Sequence, residues 1–352
     1  MDSSILGNLT DPPVLFFILG LFVAAVRSNL EIPAPVTKFL ALYLLLAIGF
    51  KGGQALGKNG ITGSALEVWA LAFFLALSIP AFAFAVLRRR INGFDAAAIA
   101  ATYGSVSAVT FVAATTFLTS QGDEPGGYLA VALVLMESPA IIMAVLLATL
   151  ARAHSTRAGG SKGVEGQPAN GASPVDSEKP DAPSKLTSPL PMKSILHEAF
   201  TDGAHLLLIG SLVVGALAGD KGGEVMKPFV GDIFKGLLAF FLLDMGLLVA
   251  RQLREVRDVG PFLIGFGLLM PLIGASTALA LGNLIGLSVG DLTMIAVLAA
   301  SASYIVVPAV VRYAIPEARP SRYFTMSLAV TFPFNIVLGI PLYYTVAQHS
   351  GG

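Results

Sequence analysis

The chain alternates long apolar segments with short polar connections, and this pattern restricts it to a fold that crosses a membrane several times. Each segment is close to the ~20 residues that an α-helix needs to cross ~30 Å of hydrocarbon. Only 12% of the 352 residues are charged, whereas a soluble domain carries roughly a quarter. The sequence therefore predicts an all-α polytopic membrane protein. The ten predicted transmembrane segments are 14–28, 35–56, 65–88, 93–119, 127–152, 203–219, 229–253, 260–285, 291–315 and 320–347.

One polar stretch divides the ten segments into two groups of five. Residues 153–190 are rich in Gly, Pro, Ser and charge, and such a composition cannot bury an apolar core. We expect this stretch to be a disordered linker. Because each half has an odd number of crossings, the second half would lie upside down relative to the first. We therefore predict two inverted five-helix repeats, residues 1–152 and 191–352, on either side of the linker.

The basic residues predict the orientation in the membrane. If the N-terminus lies outside, 17 of the 22 Lys and Arg residues fall on the inner side. Cytoplasmic loops carry such an excess of basic residues. We therefore expect both termini outside the cytoplasm and the linker inside it.

A short polar motif occurs once in each half, at the same place in the predicted repeat. Residues 95–107 read DAAAIAATYGSVS, and residues 291–303, offset by 196, read DLTMIAVLAASAS. At a rise of 1.5 Å per residue, Ser105 and Ser301 lie about 15 Å beyond Asp95 and Asp291, near the bilayer midplane. Gly and Ser let a helix unwind where a cavity satisfies the freed backbone. The motif predicts breaks in helices four and nine, and the two aspartates are interpreted as N-caps.

Two broken helices of opposite direction would point the N-terminal ends of their second halves at one spot. Exposed N–H groups and positive dipole ends suit that spot to an anion, and serine hydroxyls add donors. No Lys or Arg lies in the middle of any segment, so a co-bound cation would complete the neutralisation and favour symport over uniport. This argument does not distinguish sodium from a proton. Close packing of helices through small residues is the alternative explanation for each cluster.

Two acids and one amide also lie deep in the predicted segments. Charges at this depth are costly and usually functional, so Glu137 is a candidate ion ligand and Asp244 a possible coupling acid. For both, a protonated acid that hydrogen-bonds a neighbouring helix is the alternative. Asn335 can coordinate a cation, or it can hydrogen-bond a backbone group that Pro333 leaves without a partner. Four further side chains flank the serines and can shape a cavity or simply pack: Thr102, Tyr103, Thr110 and Tyr304.

The residue types argue against an enzyme. The chain has no cysteine, and its four histidines show no paired spacing. Thiol catalysis and disulfides are therefore excluded, and no zinc signature is present. No constellation of histidine with carboxylates suggests a catalytic site.

Three motifs resemble those of the cyanobacterial sodium-dependent bicarbonate transporter family, the SbtA-type permeases. They are DAAAIAATYGSVSAVTFVAA (95–114), LMESPA (135–140) and ASASYIVVPA (300–309). The resemblance extends over both five-helix halves and excludes the linker. It implies sodium-dependent bicarbonate symport by alternating access across the cell's inner (plasma) membrane, as part of a carbon-concentrating mechanism. It also implies a homotrimer, with a core and a gate region in each protomer, and a PII-like regulatory protein on the cytoplasmic face.

The resemblance also implies where the substrate binds. Bicarbonate would lie between the half-helices that carry Gly104, Ser105, Val106 and Ser107 and those that carry Ser301, Ala302, Ser303 and Tyr304. Backbone N–H groups and hydroxyls suit this small monovalent anion without arginine. Sodium is the expected coupling ion, with no other cofactor, and another small anion carried with sodium or protons is the alternative. The predicted sodium site lies near Thr102, Thr110, Glu137, Ser301 and Asn335.

Overall fold

The computed structural model describes residues 7–159, 203–304 and 306–350, and within these ranges it contains helices and no strand. Helix α6 continues to Gly159, so the first residues of the predicted linker are helical, and the rest of the linker lies outside the described residues. The helices of the first half are α1 (Pro12–Ala25), α2 (Ala34–Asn59), α3 (Gly63–Leu87), α4 (Gly93–Gly104), α5 (Ala108–Gln121) and α6 (Leu129–Gly159). Those of the second half are α7 (Gly203–Lys227), α8 (Phe234–Gln252), α9 (Pro261–Leu284), α10 (Val289–Ala300), α11 (Val306–Ala314) and α12 (Pro320–Ser350).

Seven helical stretches of the described chain are long and apolar enough to cross a membrane. Helices α1 and α10 are apolar but shorter, and Gly203–Glu255 counts as one stretch of 53 residues. A straight helix of that length would measure about 80 Å, more than twice the hydrocarbon thickness. The stretch is interrupted at Gly219, where φ is 57° and ψ is −158°, and by a π-helical turn at Pro228–Asp232. The chain is therefore a helical protein with several membrane spans.

The helices fall into two groups according to what they pack against. In the first group α2 lies along α7 and α1 lies along α8. In the second group α3 packs on α4 and α6, and α9 packs on α10. The pairing in the first group is reciprocal. The first helix of each half contacts the second helix of the other half.

Glycines let the helices of the first group approach backbone to backbone. A Cβ atom added at Gly53 in α2 would lie 1.9 Å from the carbonyl oxygen of Leu212 in α7. A Cβ added at Gly246 in α8 would lie 2.2 Å from the carbonyl oxygen of Phe17 in α1. Small residues at such crossings are typical of membrane helices, which associate by close packing rather than by the hydrophobic effect.

We expect Gly53→Ala to lower the thermal stability of the purified protein. The new methyl group would meet backbone, which cannot rotate away, and overpacking of this kind costs about 1–3 kcal/mol. Gly210→Ala on the facing helix α7 is the matched control, because a Cβ there has no heavy atom within 4 Å. Thermal unfolding in detergent measures the difference. Equal stability of the two variants would contradict the close approach of α2 and α7.

Helix α12 changes its hydrogen-bond register twice around Pro333. Two π-helical stretches, Thr325–Thr331 and Asn335–Gly339, flank the short α-helical turn Phe332–Phe334. Proline has no N–H and its ring clashes with the carbonyl group four residues earlier, so regular α-helical bonding cannot continue through it. π-Bulges inside helices are frequent at functional sites, and Asn335 begins the second of these two.

Candidate functional site

Two interruptions of helical structure lie side by side, one from each half of the chain. Residues 105–107 separate α4 from α5, and residues 301–304 follow the end of α10. The backbone is extended at Ser105, with φ −100° and ψ 175°, and at Ser301, with φ −83° and ψ 165°. These two segments are called the first and the second break.

Hydrogen bonds join the two breaks directly. The Ser107 N–H donates to Oγ of Ser301 at 3.2 Å. The Ser303 N–H donates to the carbonyl oxygen of Thr102 at 2.8 Å. Groups that are far apart in sequence therefore form one polar cluster, and the predicted substrate-binding residues of both halves are brought together.

Several hydroxyl groups in this cluster are buried without a protein partner. Ser105 is 0% exposed and Thr110 is 1% exposed, and neither hydroxyl forms a hydrogen bond within the described chain. Buried polar groups in folded proteins are nearly always hydrogen-bonded, so these two oxygens are free to bind a ligand. The Tyr304 hydroxyl is also buried and has no hydrogen-bond partner among the described residues.

Each break is followed by the start of a helix, and a serine caps that start. The Ser107 hydroxyl accepts from the Thr110 N–H at 3.2 Å, which begins α5. The Ser303 hydroxyl accepts from the Val307 N–H at 3.4 Å, which begins α11. The first N–H groups of a helix have no partner within the helix and carry the positive end of its dipole. Both breaks therefore present partial positive charge without any basic side chain.

Asn335 lies at the second break and forms two hydrogen bonds there. Its Nδ2 donates to the carbonyl oxygen of Ala300, the last residue of α10, at 2.8 Å. Its Oδ1 accepts from the Tyr343 hydroxyl at 2.9 Å. All three residues are buried. Two roles are expected for Asn335, and in the structure it hydrogen-bonds a backbone carbonyl group. That carbonyl belongs to the end of α10 and is not one that Pro333 leaves without a donor.

The other predicted ion ligands divide between the cluster and more distant contacts. The Thr102 hydroxyl donates to the carbonyl oxygen of Ile99 within its own helix at 2.7 Å. The Glu137 carboxylate lies 2.8 Å from Nδ1 of His205, which places it where α6 meets α7 rather than among the hydrogen bonds of the breaks. The described residues contain no group of three or more His, Cys, Asp or Glu that could hold a metal ion.

Asp244, the possible coupling acid, lies within the first helix group. Its Oδ2 accepts from the Thr37 hydroxyl at 2.5 Å, which links α8 to α2. Asp244 is only 4% exposed. The structure therefore gives this acid a hydrogen-bonded partner on a neighbouring helix and does not bring it to either break.

The interpretation of Asp95 and Asp291 as N-caps is wrong. The cap of α4 is Asn92, whose Oδ1 accepts from the Phe94 N–H at 3.0 Å. The cap of α10 is Ser288, whose hydroxyl accepts from the Asp291 N–H at 3.2 Å. The aspartates lie in the first turn instead, and their carboxylates accept hydrogen bonds from distant parts of the chain. Sequence reasoning missed the donors of those bonds.

Comparison with known proteins identifies the family. A family model described as the Na+-dependent bicarbonate transporter superfamily matches residues 12–348, which include both halves and both breaks. A search of curated proteins found no match.

Proposed function

Because the chain belongs to the Na+-dependent bicarbonate transporter superfamily, we propose that it is a symporter that couples bicarbonate uptake to sodium by alternating access. Membership of this family supports a bicarbonate transporter rather than an enzyme, and sodium as the ion on which transport depends. The observation that carries the proposal is the polar cluster at the two breaks, with the unpartnered hydroxyls of Ser105 and Thr110.

Bicarbonate binds, in this proposal, between residues 104–107 and residues 301–304. The N-terminal ends of α5 and α11 supply N–H donors and partial positive charge. The hydroxyl of Ser105 supplies a further donor that has no partner in the part of the chain that the structure describes. Helix N-termini and hydroxyl groups can bind a small monovalent anion without a basic side chain.

Sodium binds beside the anion through uncharged oxygen atoms. Hydroxyl, amide and backbone carbonyl oxygens suit a hard cation, and four of the predicted ligands supply such oxygens at the breaks: Thr102, Thr110, Ser301 and Asn335. Glu137 joins them only if its contact with His205 opens. The two helix ends together contribute roughly one positive charge, which balances a monovalent anion, so the sodium dependence of the family is the ground for the cation. Binding of either ion then strengthens binding of the other by the same factor.

We propose that the twelve helices form ten spans, arranged as two inverted repeats. Three observations support this arrangement. The stretch Gly203–Glu255 is too long for one crossing and is interrupted between α7 and α8. The pairs α4–α5 and α10–α11 each make one broken span, and the packing of α1, α2, α7 and α8 is reciprocal. We propose that the protein lies in the inner membrane. The excess of basic residues on one side favours an orientation with both termini outside the cytoplasm.

Alternating access, in this proposal, moves the two helix groups against each other. The group of α1, α2, α7 and α8 is the gate, and the group that carries both breaks is the core. Residues 105–107 and 301–304 are each at most 8% exposed, so ions reach the cluster only after movement. Asp244, which bonds Thr37 within the gate, is the proposed coupling acid.

The resemblance of the three sequence motifs also leads us to propose that the protein forms a homotrimer and takes part in a carbon-concentrating mechanism. We propose further that a PII-like regulatory protein binds its cytoplasmic face. Large apolar side chains are exposed on α1, α3 and α7, including Phe22, Phe74 and Leu217. Such surfaces suit lipid as well as neighbouring protomers. Native mass spectrometry of the purified protein tests the trimer.

The symport proposal predicts sodium-driven accumulation of bicarbonate. Proteoliposomes that contain the purified protein should take up radiolabelled bicarbonate against its gradient when sodium is directed inward. Uptake should saturate and should fall to background when potassium replaces sodium at the same ionic strength and a clamped pH. Protein-free liposomes are the control. Uptake that is indifferent to sodium would contradict symport.

Another small anion, carried with sodium or protons, is the second candidate. The donors at the breaks fit a short carboxylate as well as bicarbonate. Competition by unlabelled anions in the same vesicles separates the two, because bicarbonate should displace the label at lower concentration than acetate or formate does.

A further inference from the structure

The carboxylate of Asp95 connects the start of α4 to the start of α12. Its Oδ1 accepts from the backbone N–H of Arg319, the residue that precedes α12, at 2.8 Å. Its Oδ2 accepts from the guanidinium group of Arg322, in the first turn of α12, at 2.9 Å. The Asp95 side chain is 2% exposed, and that of Arg322 is 22% exposed. One acid of the first half therefore holds the beginning of the last helix of the second half.

The carboxylate of Asp291 makes the corresponding connection from α10 to α6. Its Oδ1 accepts from the Gly126 N–H at 2.7 Å, and its Oδ2 accepts from the Tyr128 hydroxyl at 2.5 Å. Both donors lie just before α6.

The two contacts correspond in chemistry and in sequence position. In each, one carboxylate oxygen takes a backbone N–H and the other takes a side-chain donor. The two backbone donors, Gly126 and Arg319, are separated by 193 residues and the two side-chain donors, Tyr128 and Arg322, by 194, close to the 196 that separate Asp95 and Asp291. Each contact lies at the far end of the short helix that leads into a break, namely α4 or α10.

We propose that Asp95 and Asp291 are positioning residues, which fix the depth of α4 and α10 and thereby align the two breaks for binding of the ions. This inference rests on the proposed function, because it assigns the alignment to the proposed transport site. Helix α4 has twelve residues and α10 also has twelve, so each carboxylate acts about 15–18 Å from its break along a rigid helix.

The hydrogen bonds between the breaks explain why both contacts are needed. Ser107 bonds Ser301, and Ser303 bonds Thr102, so a shift of either helix along its axis would separate donors from acceptors at the cluster. Neither aspartate touches the cluster itself. Their effect on binding is therefore transmitted through the position of α4 and α10.

Kinetics of uptake test this role with Asp95→Asn and Asp291→Ala. At position 95, an asparagine turns an NH₂ group toward one of two groups that can only donate, and that bond breaks. At position 291, alanine is used because it removes both acceptor oxygens, whereas the Tyr128 hydroxyl could accept from an asparagine NH₂ group. We expect the half-saturating concentrations of both bicarbonate and sodium to rise about tenfold in each variant. Asp220→Asn is the matched control, because the Asp220 side chain is exposed and its pair with Lys58, at 3.7 Å, lies on the surface. Loss of protein stability with unchanged half-saturating concentrations would overturn the positioning role.

A double-variant comparison separates the contact from other effects of the substitution. If Tyr128 acts through Asp291, Tyr128→Phe should add little to the defect of Asp291→Ala. The single variant Tyr128→Phe should raise both half-saturating concentrations less than Asp291→Ala does, because the Gly126 bond remains. Fully additive effects would show that the two residues act independently and would overturn this part of the inference.

A distance measurement distinguishes failure of this inference from failure of the proposed function. The chain has no cysteine, so nitroxide labels can be attached to Arg89→Cys, before α4, and Ser321→Cys, at the start of α12. Both positions are exposed. In lipid nanodiscs we expect one narrow distance distribution, which Asp95→Asn broadens and Asp220→Asn leaves unchanged. A distribution unaffected by Asp95→Asn overturns the inference whether or not the protein transports bicarbonate.

Discussion

Replacing Ser301 with alanine is expected to reduce sodium-dependent bicarbonate uptake about tenfold or more. The Ser301 hydroxyl accepts from the Ser107 N–H at 3.2 Å and donates to the carbonyl oxygen of Leu298 at 2.8 Å. Alanine leaves the N–H of buried Ser107 without a partner. A buried group left unpaired costs about 1–3 kcal/mol, which corresponds to a factor of about 5 to 150 in an equilibrium constant. Initial uptake rates in proteoliposomes measure the loss.

Two further variants show whether the loss arises at the breaks. Ser105→Ala removes a hydroxyl that has no partner among the described residues, so it should leave stability unchanged and raise only the half-saturating bicarbonate concentration. Thr277→Ala removes an exposed hydroxyl that bonds its own helix at Ile273, so it should transport normally. If Ser301→Ala and Ser105→Ala both transport like the unchanged protein, the breaks are not the transport site.

The helices could be predicted well from the sequence because their signals are local. Segment length and apolar composition depend only on neighbouring residues, and segments 65–88 and 260–285 correspond closely to α3 and α9. The small residues beside Ser105 and Ser301 likewise mark where α4 and α10 end. The first predicted segment, 14–28, extends beyond the observed helix, because α1 ends at Ala25, shortly before a turn with φ 58° at Arg27.

The partners of buried polar groups could not be predicted, because they depend on which helices become neighbours. Asp95 binds a residue 227 positions away, and Glu137 binds one 68 positions away. A carboxylate near a helix start is most often interpreted as a local cap. Both aspartates instead accept hydrogen bonds from residues that are distant in the sequence. The repeat offset contained a usable signal, since the corresponding donors of the two contacts stand 193 and 194 residues apart, close to the 196 that separate the aspartates.

Asn335→Ala is expected to abolish sodium-dependent uptake, because it leaves two buried polar groups without a hydrogen-bond partner. The substitution leaves both the carbonyl group of Ala300 and the hydroxyl of Tyr343 without their partner. Each such group costs about 1–3 kcal/mol, and the carbonyl lies at the edge of the second break. Uptake at saturating sodium and bicarbonate, normalised to the amount of inserted protein, measures the loss.

Tyr343→Phe then separates the structural role of Asn335 from a role as a sodium ligand. This variant keeps the bond from Asn335 to Ala300 and removes only the donor to Oδ1. An amide oxygen has two lone pairs, of which Tyr343 occupies one. If Asn335 is also a sodium ligand, Tyr343→Phe should retain transport with a changed half-saturating sodium concentration and an unchanged one for bicarbonate. An oxygen that binds sodium should change its affinity for sodium when its hydrogen bond is lost. If the half-saturating sodium concentration equals that of the unchanged protein, Asn335 therefore serves only to hold the end of α10.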